Sequence, residues 1–236
     1  MKFSGPISLG TLIRRYKRFL ADVRLDTGET VTAHVANTGS MRGCADPGLR
    51  VALSHHPGKG RKLPYSLELV RVNGTWVGVN TSRSNAIVEE AARQGRIPAL
   101  RGYNTIRREV RYGVNSRIDL LLSHPDAGTP PCYVEVKNVT LRLGNAAAFP
   151  DAVTARGRKH LMELRNEVRQ GHRAVMLFLV NRDDCEVMRP AAEIDPAYAA
   201  TLLEVVGEGV EPVAVRARAT PVGIEVVGGV PFLPQG

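Results

Sequence analysis

The first 80 residues alternate apolar and polar positions with a period of two, the pattern of strands with one buried face. Residues 11–25 read as strand, with Phe19, Ala21, Val23 and Leu25 alternating with Leu20, Asp22 and Arg24. Asp26-Thr27-Gly28 is a turn signal, and the alternation resumes over residues 29–35, which predicts a hairpin. Asn37-Thr38-Gly39 and Asp46-Pro47-Gly48 mark further turns. Residues 50–54, 65–72 and 75–79 supply three more short strands, the last two joined through Asn73-Gly74. Five short strands in this stretch predict a small barrel of the OB type.

The period changes after Thr81. Ser84 or Asn85 is placed to cap a helix over residues 86–94, with Ile87 and Ala91 on its apolar face and Gly95 at its end. Residues 109–112, 117–123 and 133–141 read as three strands, the last two separated by the Pro- and Gly-rich residues 124–131. Residues 154–170 form a strong helix pattern with Leu161, Leu164 and Val168 at helical spacing. The unbroken apolar run 174–180 predicts a buried strand. A helix over 198–206 and a strand pair over 213–217 and 224–227 complete the chain. Helix, three strands, helix and strand predict a mixed sheet with helices packed on it. The two regimes divide the chain into residues 1–80 and 81–236.

Charge adds a partner class to this outline. The formal net charge is +9, and 26 of the 32 basic residues are arginine. Residues 1–182 carry +15 and the remainder −6, so the excess lies on the barrel and on the first part of the second region. A polyanionic partner is the expectation, with high arginine usage on a solvated surface as the plainer reading. No apolar run of about 18 residues occurs, so no membrane span is expected. The N-terminus lacks an apolar signal core, and Cys44, Cys132 and Cys185 form no metal-binding or disulfide pattern. Those features point to a reducing, cytoplasmic setting.

The candidate chemistry sits in two strands. Asp119 interrupts the run Arg117-Ile118-Asp119-Leu120-Leu121-Leu122, and Glu135 and Lys137 share one face of Tyr133-Val134-Glu135-Val136-Lys137. An acid and a base two apart in an apolar strand are costly to bury unless paired or bound to metal. If the two strands are neighbours, two carboxylates meet beside one ammonium group, which suits a hard divalent cation. Glu90, on the preceding helix, is positioned to add a carboxylate, or else is a solvated helix residue. An exposed Glu135–Lys137 pair on an edge strand is the competing reading. His160 reads as a surface or capping residue. Arg14-Arg15-Tyr16-Lys17-Arg18 interleaves bases with an aromatic at the start of the barrel: a grip on phosphates with Tyr16 stacked on a base, or a charge-guarded strand edge.

Several segments resemble the sugar fermentation stimulation protein A family. They are Arg15-Tyr16-Lys17-Arg18-Phe19-Leu20-Ala21-Asp22-Val23, Asn37-Thr38-Gly39, Ser116-Arg117-Ile118-Asp119, the strand from Tyr133 through Lys137-Asn138-Val139-Thr140 to Leu141, and Phe149-Pro150-Asp151 with the helix that follows through Leu161. The resemblance implies an α/β fold (α+β overall): an N-terminal OB-like β-barrel followed by a PD-(D/E)XK nuclease-like mixed sheet flanked by helices. It implies DNA binding with little sequence preference and a link to sugar use, maltose in particular. On the superfamily pattern Asp119, Glu135, Lys137 and Glu90 match the catalytic set, with Asp119, Glu135 and Glu90 on magnesium or manganese; Ile118 stands where the pattern has proline. The expected nucleic-acid contacts are Arg14, Arg15, Tyr16, Lys17, Arg18, Arg117, Arg156, Arg158 and Lys159. Two functions are therefore expected in competition: a divalent-metal-dependent nuclease, or a non-catalytic DNA-binding regulator of sugar metabolism. An RNA partner stays open, as does the oligomeric state, a homodimer included.

Overall fold

The computed structural model describes residues 1–56, 58, 62–113 and 116–234. Its first strands are β1 (Ile7–Tyr16), β2 (Leu20–Leu25), β3 (Thr30–His34), β4 (Arg50–His55), β5 (Tyr65–Val72) and β6 (Thr75–Gly78). They lie in the order β3-β2-β1-β4-β5-β6, and a parallel pairing of Ala33 with Tyr65 and His34 with Ser66 joins β3 back to β5. Five strands thus close into an OB-like barrel, which removes the free edges an open sheet would carry. Leu12, Val23, Val31, Val51, Leu67 and Val77 fill it.

Residues 11–25 are not one strand. The chain reverses at Lys17 and Arg18, whose φ angles are 50° and 65°, so that Tyr16 pairs with Leu20. Two successive non-glycine residues in left-handed backbone are uncommon. Periodicity ran through the turn because Phe19 happens to fall in phase; it is 48% exposed, whereas Ala21, Val23 and Leu25 face the core.

The second region is built on α1 (Ser84–Arg93), β7 (Thr105–Tyr112), β8 (Ser116–His124), β9 (Thr129–Val139), β10 (Leu141–Leu143), β11 (Ala146–Phe149), α2 (Ala155–Arg169), β12 (Arg173–Val180), β13 (Val187–Pro190), α3 (Pro196–Gly207), β14 (Glu211–Thr220) and β15 (Gly223–Gly229). Six strands form a mixed sheet in the order β15-β14-β12-β9-β8-β7, with β12 parallel to both β9 and β14. The apolar run of β12 is buried throughout because it sits inside this sheet with both faces covered. One face packs on α1 and on Ala52 and Leu69 of the barrel wall, so the two regions share a core. The other face is covered by α2 and α3 through Leu161, Leu164, Tyr198 and Leu202. The short strands β10, β11 and β13 make a separate three-stranded sheet that hydrophobic period did not announce.

Helix starts follow local chemistry. Thr154 caps α2 by accepting from Gly157 N–H, and Asp195 caps α3 by accepting from Tyr198 N–H. The start of α1 departs from expectation. A single 3₁₀ turn, Thr81–Arg83, precedes it, and Asn80 caps that turn. Ser84 and Asn85 are thereby released to reach across to the sheet.

Candidate active site and nucleic-acid interface

The antiparallel ladder between β8 and β9 pairs Leu120 with Val134. One step further Asp119 stands opposite Glu135. There the Asp119 side chain takes over from the ladder, its Oδ2 accepting from Val136 N–H at 2.7 Å. Its Oδ1 accepts from Asn85 Nδ2 at 2.9 Å, which ties the first turn of α1 to the site. Burial raises the Asp119 pKa first, the Glu135 charge adds to it, and together they push it up to about 6 against those two hydrogen bonds.

Glu135 is buried to 2% exposure. Its Oε1 accepts from Lys137 Nζ at 2.6 Å and is bonded by His160 Nδ1, which reaches in from α2. Burial opposes the Glu135 charge, yet Lys137 and His160 outweigh it and hold the pKa below the ordinary glutamate value. Lys137 Nζ also lies 3.2 Å from His160 Nδ1, and Arg156 Nε lies 3.3 Å from His160 Nε2. His160 is therefore a buried member of the site, not a surface or capping residue.

Glu90 is not brought to this site. Five residues along a helix turn it roughly 140° away from Asn85. Its carboxylate instead takes the Met1 ammonium at 2.7 Å, beside Ile224. A different acid neighbours Asp119. In the β7–β8 ladder Arg108 pairs with Leu120 and Val110 with Ile118, which leaves Glu109 opposite Asp119. Glu109 has φ 54° and accepts from the same Asn85 amide at 3.0 Å. Left-handed backbone in a non-glycine residue is uncommon and clusters at functional sites. Nothing in the strand pattern marks Glu109 for this place.

Does this donor set suit a divalent cation? Glu135 Oε2 is buried with no hydrogen-bond partner. Asp119 and Glu135 repel one another, and both offer the hard oxygens that such ions take alongside water. A two-carboxylate site with water completing the shell fits. Among the described residues no group of three His, Cys, Asp or Glu converges on one point.

The carboxylates line a cleft between the barrel loop Asn37-Thr38-Gly39, the first turn of α1 and the ends of β8 and β9. On one side Arg117, Lys137, Arg156 and Lys159 make it cationic. Arg158, on the same helix, does not line the cleft and faces the charge of Asp195. The barrel cluster divides. Arg14 Nε donates to Asp22 at 2.8 Å, and its guanidinium lies 4.7 Å over the Tyr16 ring. Tyr16 hydroxyl donates to the same Asp22. Arg15 donates to the carbonyls of Arg18, Asn37, Gly39 and Ser40, holding the loop that rims the cleft. Arg14, Arg15 and Tyr16 are thus engaged within the barrel, whereas Lys17 and Arg18 project at the exposed turn. No helix among the described residues is long and apolar enough to cross a membrane.

Comparison with known proteins agrees with both regions. Residues 13–79 match the model of the SfsA N-terminal OB domain, and residues 82–223 match that of the sugar fermentation stimulation protein RE domain. The chain is similar to a sugar fermentation stimulation protein homolog of Paramagnetospirillum magneticum, 56% identical over 96% of this chain and 95% of the relative. A homolog from Rhodospirillum centenum is 57% identical over 96% of this chain and 97% of its own. The solved structure of Pyrococcus furiosus SfsA in complex with Ca2+ superposes with a TM-score of 0.88 at 28% identity, covering 99% of this chain and 98% of that one.

Proposed function

The chain belongs to the sugar fermentation stimulation protein family, and we propose that it binds DNA with little sequence preference and hydrolyses phosphodiester bonds with a divalent cation. The observation that carries the reading is the buried, unpartnered Glu135 Oε2 opposite Asp119, in a cleft whose flank is cationic. Asp119 and Glu135 would hold magnesium or manganese. The solved SfsA relative was obtained with Ca2+, an ion that takes the same kind of oxygen ligands. When bound, such an ion polarises a phosphoryl oxygen and lowers the pKa of a coordinated water.

The chain's own groups do the rest. Val136 N–H and Asn85 fix the Asp119 carboxylate, and His160 with Lys137 fixes Glu135. Lys137 sets a positive charge where a bound phosphate would gather negative charge. Arg117, Arg156 and Lys159 hold flanking phosphates, which gives affinity without reading bases. Affinity should therefore fall steeply with salt, measured by fluorescence anisotropy from 50 to 200 mM. Asp119→Ala should abolish cleavage of single-stranded, duplex and branched DNA in magnesium or manganese. No cleavage of any of these by the unaltered protein would sink the catalytic half of the proposal.

One observation favours the non-catalytic regulator instead. Glu135 Oε1 is already bonded by Lys137 and His160, and among the described residues no group of three His, Cys, Asp or Glu is set to hold a metal ion. On that reading Asp119→Ala leaves DNA affinity and any sugar phenotype intact, so loss of the phenotype with binding unchanged excludes it.

A further inference from the structure

The cleft is two chemically different halves that meet at Thr38, Thr81, Glu109, Asp119, Val136 and Lys137. The half toward α2 is the cationic one. The other, about 570 Å³, runs between the barrel loop, the 3₁₀ turn before α1 and the sheet formed by β10 and β11. Among its described lining residues Lys137 is the one cation, and its acids are Asp151 together with Glu109 and Asp119, which both halves share. It lacks the Arg117, Arg156 and Lys159 of the other half, and its Lys137 is already bonded to Glu135, so a phosphate is better held on the other side.

The same half offers uncharged hydrogen-bonding groups against an apolar wall. Val139, Leu141 and Phe149 supply the wall. Thr38 and Thr140 hydroxyls have no hydrogen-bond partner among the described residues. The surrounding amides are already fixed. Asn138 Nδ2 donates to Gly78 carbonyl and its Oδ1 accepts from Ser84 and Asn181, while Asn37 Oδ1 accepts from Gly39 N–H. The cavity is thus held open by a rigid polar frame. Its size lies in the range of small-ligand pockets, ample for one nucleoside.

We propose that this neutral half receives a single unstacked nucleoside of a DNA strand whose phosphates lie on the cationic half. The substrate class is then DNA with an unpaired nucleotide beside the phosphate at Asp119 and Glu135. A base within an intact duplex cannot enter a cavity without leaving the stack, at an energetic cost that an unpaired nucleotide avoids. This inference rests on the DNA-binding reading above and specifies what that site prefers.

The test uses the full chain in EDTA, so that binding is read without cleavage. Three labelled probes are compared by anisotropy: a perfect duplex, the same duplex with one bulged nucleotide, and the duplex with an abasic bulge. The bulged probe should bind about tenfold tighter than the perfect duplex, and removing the bulged base should return most of that gain. Ser82→Trp, at the rim of the neutral half and off the cationic half, should erase the bulge preference while duplex affinity stays within about twofold. The DNA-side abasic probe stands independently of whether that variant folds. Equal affinity for all three probes overturns the nucleoside pocket and leaves DNA binding standing. Equal affinity for base and abasic bulges also overturns it, as a preference for bent DNA alone. Absence of binding to every probe at low salt overturns both readings.

Discussion

Glu68 is the place where one substitution should unfasten the barrel from the first helix of the second region. It lies in β5 with no exposed surface. Its Oε1 accepts from Ser54 at 2.7 Å and from Arg83 Nη2 at 2.8 Å, and its Oε2 accepts from Asn80 at 2.9 Å. Arg83 and Asn80 belong to the turn that leads into α1, which carries Ser84 and Asn85 to the cleft. Removing one member of a buried ion pair costs about 3–5 kcal/mol, because the partner's charge stays desolvated. Arg83 retains 23% side-chain exposure and can partly rehydrate, which argues for the lower end, about 3 kcal/mol. For a chain of this length that corresponds to a fall in Tm of about 6–12 °C. Glu68→Ala should show that loss in thermal and urea denaturation, and Glu68→Gln, which keeps an acceptor and a donor, roughly half of it. A double-mutant cycle with Arg83→Ala should give a coupling of about 1.5–3 kcal/mol. A loss below about 1 kcal/mol for Glu68→Ala, or additive effects in the cycle, would refute the network as the joint between the regions.

Other consequences are checkable in the same way. A Cβ at Gly78 would sit 2.3 Å from Asn181 Oδ1, so Gly78→Ala should displace that buried amide, break its bond to Asn138 and cost about 2–4 kcal/mol by denaturant titration. Arg18→Ala should lower the slope of log affinity against log salt by about one, while Arg14→Ala, already paired with Asp22, should leave it unchanged; equal slopes would count against the exposed turn as a phosphate contact. Asp195 accepts from Thr154 N–H at 2.8 Å and Tyr198 N–H at 2.9 Å, and these bonds overcome its burial to hold its pKa below the ordinary aspartate value. A depressed folded pKa stabilises above the unfolded value, and the gain is lost as pH falls through the folded one. Asp195→Ala should therefore lose about 1–2 kcal/mol at pH 7, and its melting gap from the unaltered chain should narrow below about pH 4; a gap that is constant from pH 7 to pH 3 would contradict the charged cap.

Much of this molecule is legible locally. Strand alternation placed Ala21, Val23 and Leu25 inside the barrel, Thr154 marked the start of α2, and the period of two put Glu135 and Lys137 on one face of β9. These are properties of neighbours along the chain, governed by backbone geometry and capping chemistry within a few residues. The membership of the site is another matter. Asn85, Glu109 and His160 reach Asp119 and Glu135 from three elements, and no spacing between them encodes it. Glu90, by contrast, is turned to the Met1 ammonium by the helical screw once packing orients α1. Arg14 and Arg15 looked free as a run of charge, but folding brings Asp22 and four loop carbonyls to them. Partners distant in sequence become neighbours only when strand register and helix orientation are set together. That is why the strands and the E-x-K face could be read from order alone, while the third acid, the buried histidine and the available cations had to await the packed chain.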